Sequence, residues 1–174
     1  MKRNKSDWTE LVKTLISDCE QLFKIKILWD FADEGILSPS IAGMFLTPEQ
    51  TKKYCSLDKP LILINLCAIM DDIAFICSIV HECRHCYQYA HRNENNNWAY
   101  EFLVGVSSSE NDYYESDLEL DAYVFQEEFL KLLINDRNAK ITGVSNFNPE
   151  KVAIARKQIK EFLKNERERI SNQK

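Results

Sequence analysis

The twenty residues from Leu61 to Val80 form the most apolar stretch of the chain. They would suffice to cross a bilayer, except that Asp71 and Asp72 sit in the middle. Adjacent carboxylates are too costly to leave in hydrocarbon, so the stretch must divide in two. Pro60 followed by LILINL, Leu61 to Leu66, reads as a buried strand. Asp71 or Asp72 then caps a helix continuing through His91, both acids suiting its positive end. A strand and a helix this apolar need covering, and the flanking sequence supplies the cover. Ser6 or Asp7 caps a first helix to about Phe23, with Glu10 completing a capping box. Lys24–Phe31 and Ile41–Thr47 read as further strands, Trp98–Val104 as a short element, and Tyr113–Leu133 as a second long helix. Asn148-Pro149-Glu150 opens a last amphipathic helix, about 149–169, with Val152, Ala155, Ile159, Phe162 and Leu163 on one face. The expectation is one α+β domain spanning residues 1–174, with more helix than sheet.

Charge narrows the partners. The net charge is −5, which disfavours nucleic acid. Between Arg92 and Lys131 there is no basic residue, while ten acids occur there. The segment from Glu150 to the end is basic, with eight Lys/Arg against four Asp/Glu, and reads as a solvated helix. The first residues, MKRNKSDWTELVKTL, have scattered charges and no apolar run, and six cysteines lie mostly in apolar or helical surroundings. Reduced thiols in a cytoplasmic protein without a membrane partner are the expectation.

Only three histidines occur, and two fall in His81-Glu82-Cys83-Arg84-His85, an HExxH sequence inside the expected helix. Residues four apart on a helix are offset by about 40°, so both imidazoles can reach one metal ion. Glu82 projects beside them, where it can hold and deprotonate a metal-bound water. The CxxC formed by Cys83 and Cys86 lacks a second pair and faces away from the histidines, which argues against a redox or structural zinc role.

A catalytic zinc needs a third protein ligand and an open position. His91, six residues after His85, is one candidate, by the HExxHxxxxxH spacing of three-histidine enzymes. Gln88 stands where those enzymes place a glycine, and the methionines, Met1, Met44 and Met70, offer no downstream Met-turn. In a continuous helix His91 points about 120° away from His85.

The other candidate is Glu119, in Glu119-Leu120-Asp121-Ala122-Tyr123 on the next long helix. HExxH followed by a helix reading E-x-x-A with a nearby aromatic resembles zinc metallopeptidases (zincins) of the gluzincin type, and the small ImmA/IrrE-like peptidases are similar in size and element order. The segment IVHECRHCYQ is similar to the HE-x-x-H-x-x-Q form of many small zincins. The resemblance covers about Pro60 to Phe129. It implies a zincin-like fold, with a small, mostly antiparallel sheet packed on the HExxH helix and on a second ligand-bearing helix. It also implies one Zn²⁺ held by His81, His85 and Glu119, with Glu82 as general base. Where relatives carry Asp or Asn after the alanine to orient a ligand, this chain has Tyr123.

Gln88, seven residues after His81, lies on the ligand face; Asp121 or Tyr123 can orient a ligand, and the hydroxyls of Tyr113 and Tyr114 can face an oxyanion. The expected activity is hydrolysis of a peptide bond in a protein or peptide substrate paired along a sheet edge. The acids around Glu119 favour basic or neutral segments, and Arg92–Asn97 and Gly105–Asp112 are the expected specificity loops. The alternative is a non-catalytic metal-binding regulator or protein-interaction module on the same fold.

Overall fold

The computed structural model describes residues 4–104, 110–141 and 143–173. Its elements are α1 (Lys5–Phe23), β1 (Trp29–Phe31), β2 (Gly43–Leu46), α2 (Pro48–Cys55), β3 (Leu61–Ile64), α3 (Asp72–Ala90), α4 (Asn96–Val104), α5 (Glu110–Glu115), α6 (Asp117–Leu133) and α7 (Pro149–Ser171). Short 3₁₀ turns occupy Arg92–Glu94 and Val144–Asn146. The protein is α+β and mostly helical. Its contacts divide it into two compact units, Met1–Cys86 and Tyr87–Lys174, and the boundary falls inside α3.

The first unit holds the sheet. Strand order is β1-β3-β2, with β1 parallel and β2 antiparallel to β3. The sheet is therefore mixed, not mostly antiparallel as expected. The parallel pair arises because the chain crosses from β1 through β2 and α2 before β3 enters between them. As the central strand, β3 is buried along its whole length, which is why its sequence is uninterrupted LILI rather than alternating. Leu61 and Leu63 join Leu37 and Leu46 in one cluster, and Ile62 and Ile64 project from the opposite face. On α1 and α3, Trp8 packs edge-on against Phe75 at 5.1 Å, and the guanidinium of Arg84 lies over the Phe23 ring.

Several elements differ from expectation, and the strand expected at Ile41–Thr47 is confined to Gly43–Leu46. Asn4, not Ser6 or Asp7, caps α1, its side chain accepting the Ser6 N–H. The strand expected at Lys24–Phe31 shrinks to Trp29–Phe31, because Lys24 turns left-handed at the end of α1 and Glu20 accepts the Ile27 N–H and pairs with Lys26. The helix α2 was not foreseen, although Thr47-Pro48-Glu49-Gln50 is a closed capping box with proline in the first turn.

In the second unit α6 packs along α7, with Val152, Ala155, Ile159 and Leu163 buried as their spacing requires. The helix expected over Tyr113–Leu133 is broken at Ser116, which leaves α5 and caps α6. Glu127 and Glu128 are both buried in α6. Lys131 and Arg156 each bond both of them, at 2.7–3.1 Å. No helix among the described residues is long and apolar enough to cross a membrane.

Candidate metal centre

The Asp71 carboxylate accepts the Ala74 N–H at 2.8 Å, so the acids that split the apolar stretch also start α3. From that start the helix brings His81 and His85 onto one face, both buried, with their Nε2 atoms 3.0 Å apart. Two imidazoles on one tetrahedral zinc have nitrogens about 3.3 Å apart, given Zn–N bonds of about 2.0–2.1 Å. The ring geometry therefore fits a shared ion.

Glu119 lies in the first turn of α6, 8% exposed. The Ser116 hydroxyl accepts its N–H at 3.1 Å. Three further donors are gathered by Glu101, on α4. Its carboxylate accepts the Asp117 N–H at 3.0 Å, the Leu118 N–H at 3.3 Å and the Ser116 hydroxyl. A carboxylate at a helix N-terminus suits both the open amides and the helix dipole. The side chain of Glu119 is thereby released from capping its own helix.

One ligand atom from each of His81, His85 and Glu119 lies within 4.8 Å of the other two. Two imidazole nitrogens and a carboxylate oxygen are a donor set that zinc accepts and that several transition metals tolerate. These three buried residues could hold a metal ion. Tyr113 hydrogen-bonds Glu119 and Tyr123; burial first, then the negative charge of Glu119, push its phenol well above the usual range. The Tyr113 hydroxyl thus stays protonated as a donor to the carboxylate.

Glu82 is half-buried, and its Oε2 accepts the Phe45 N–H of β2 at 2.7 Å. Gly43, two residues earlier, makes room for this approach, since a Cβ there would lie 2.8 Å from Glu82 Cγ. Sequence reasoning missed Gly43, Phe45 and Glu101. The isolated glycine in a strand pattern was a readable sign of close approach, whereas nothing marks Glu101.

Gln88 is fully buried, and its Nε2 donates to the Leu118 carbonyl at 2.9 Å and to Asp121 Oδ2 at 2.8 Å. Gln88 and Asp121 therefore bond one another beside Glu119. Tyr123 packs against Tyr113 and Phe147, and Tyr114 against the same two rings. His91 lies just beyond α3, its Nδ1 3.1 Å from Glu94 and its ring against Tyr87, and is not among the three clustered ligands. Arg92–Glu94 forms a 3₁₀ turn; of the other expected loop, residues 105–109 lie outside the described residues and 110–112 begin α5.

The six cysteines are free thiols. A hydrogen bond with Cys19 and then burial push Cys83 up, and burial pushes Cys86 up, so neither readily becomes a thiolate. Comparison with protein-family models, curated proteins and solved structures finds no match to this chain.

Proposed function

We propose that the chain is a zinc-dependent metallopeptidase in which His81, His85 and Glu119 hold one zinc ion and Glu82 is the general base and acid. What supports this reading is the approach of one ligand atom from each of three buried residues to within 4.8 Å, two of them within HExxH. Bound there, zinc supplies Lewis acidity and lowers the pKa of a bound water.

The chain's own residues do the rest. Glu82 is placed as the general base and acid: with a metal held beside it, its carboxylate would accept a proton from the attacking water and would return it to the leaving amine. Its anchored Oε2 fixes the plane of the carboxylate, as a base within hydrogen-bond reach of its target requires. Tyr113 orients Glu119, and Gln88 holds the same turn of α6 through the Leu118 carbonyl. An extended peptide substrate adds to the sheet at the edge strand β2.

The test combines metal content with cleavage. Wild-type protein equilibrated with zinc should retain one equivalent, and His81→Ala and Glu119→Ala should each lose it, whereas His91→Ala should not. Glu82→Gln should keep zinc but cut a peptide library, read by mass spectrometry, about 10²–10⁴-fold more slowly. Undiminished cleavage by Glu82→Gln would sink the peptidase reading, and zinc retention by both ligand variants would sink the site.

A further inference from the structure

Residues 1–130 carry 11 Lys/Arg against 22 Asp/Glu, whereas residues 131–174 carry 11 against 5. A chain of net charge −5 therefore ends in a segment of charge +6. Much of this positive charge lines one groove of about 980 Å³, formed by the C-terminal end of α6, the turn after it and the last turns of α7. Leu163 and Leu132 supply apolar surface, and Arg137, Lys160, Lys164 and Arg167 surround it.

These cations are not consumed by the fold. The side chains of Arg137 and Arg167 are exposed and enter no hydrogen bond or ion pair among the described residues. Lys164 has an exposed Glu168 at 3.9 Å. Lys160 is 3.7 Å from Glu128, a carboxylate already met by Lys131 and Arg156. The groove thus offers positive charge that seeks an anion from outside. Leu132, Leu133 and Ile134, each 44–48% exposed at the end of α6, add apolar surface beside it.

The shape and chemistry select among anions. Among the described residues no aromatic ring lines the groove, so bases have nothing to stack on, and the remaining chain repels a polyanion. Lys160, Lys164 and Arg167 form a stripe along one face of α7, rising about 10 Å over two turns. An extended peptide places alternate side chains on one face about 6.6–6.8 Å apart. Two acidic side chains separated by one residue thus match the span from Lys160 to Lys164, and the flexible stems of Lys164 and Arg167 meet a third.

We infer that this groove docks an extended acidic segment of a partner protein, with Asp or Glu at alternate positions against Lys160, Lys164 and Arg167 and an apolar side chain over Leu132. Such docking operates whether or not the metal centre turns over peptide.

Fluorescence anisotropy with the full chain tests it, using a labelled peptide of alternating glutamate and leucine, its lysine–leucine counterpart and a short labelled oligonucleotide. The acidic peptide should bind, with affinity falling as salt rises. Lys164→Glu with Arg167→Glu should weaken it by roughly tenfold or more. Lys13→Glu with Lys52→Glu changes net charge equally elsewhere and should weaken it far less. Should the groove reversal fail to fold by circular dichroism, Arg137→Ala with Arg167→Ala serves, with a smaller loss expected. The inference is overturned by equal losses in groove and control variants, by tighter binding of the oligonucleotide or basic peptide, or by a wild-type dimer in sedimentation that the groove variant abolishes.

Discussion

Gly43→Ala isolates the geometry around Glu82 from the three candidate ligands. Gly43 has no positive φ, so alanine strains no backbone there, and the whole effect is steric. The added carbon would meet Glu82 Cγ at 2.8 Å, Ile79 Cδ1 at 3.6 Å and the Leu63 carbonyl at 3.8 Å, and none of these three nearest atoms belongs to His81, His85 or Glu119. Carbon atoms rest about 3.5–4.0 Å apart, so Glu82 must retreat by about 0.7–1.2 Å. That displacement stretches the 2.7 Å bond from the Phe45 N–H out of the hydrogen-bonding range. Overpacking of this kind destabilises by about 1–3 kcal/mol. In a chain of this size that lowers Tm by roughly 2–4 °C per kcal/mol. A base misplaced by about 1 Å loses about 10²-fold in rate. The expected result is protein that binds zinc normally, melts earlier and cuts a peptide selected from the library about 10²-fold more slowly. Gly35→Ala is the control: its φ of 90° strains alanine, but the added carbon meets nothing within 4 Å, so stability falls and cleavage does not. Wild-type cleavage by Gly43→Ala, or loss of its zinc, would refute the reasoning.

Glu101→Ala removes the acceptor for two amides and a hydroxyl at the start of α6; it should cost about 1–3 kcal/mol in chemical denaturation and weaken zinc binding, measured by competition with a chelator. Gln88→Leu removes the donor shared by the Leu118 carbonyl and Asp121, and should destabilise by about 1–3 kcal/mol with zinc stoichiometry retained. Burial pushes the Glu127 carboxyl up, but hydrogen bonds from Lys131 and the Ile141 N–H, with the charges of Lys131 and Arg156, outweigh it and hold the group below its usual range. That contribution is present above about pH 4.3 and is lost as pH falls through the lowered value. Burial pushes Lys131 down, yet Glu127 and Glu128 hold it up, so its contribution is present below about pH 10.4 and lost as pH rises through the raised value. Melting curves across pH should show a plateau between these limits, with the acid limb shallower in Glu127→Gln.

The long apolar stretch was readable because its two halves obey different demands. β3 is buried on both faces and α3 starts where a carboxylate can serve its amides, so Pro60 and Asp71 marked real boundaries. The candidate ligands on α3 were readable because spacing along one helix is a local property. What lay further apart in sequence left fainter traces. The break at Ser116 was hidden by continuous helical periodicity, although Ser116-x-x-Glu119 has the pattern of a capping box. The box is not closed in the usual way: Glu101 takes the Asp117 and Leu118 amides, and the Ser116 N–H goes to the Tyr113 carbonyl at 3.3 Å. The parallel placement of β1 was equally hidden, since three residues of strand carry no record of their neighbour's direction.

Glu101 binds the first turn of α6 from α4, and twelve residues stand between Val104 and Asp117 in sequence with one short helix among them. The position of Glu119 is thereby uncoupled from the length of the chain that leads to it. Changes in chain length ahead of Tyr113 are therefore open to natural drift or to engineering, so long as Tyr113 still meets Glu119 and Ser116 still caps α6.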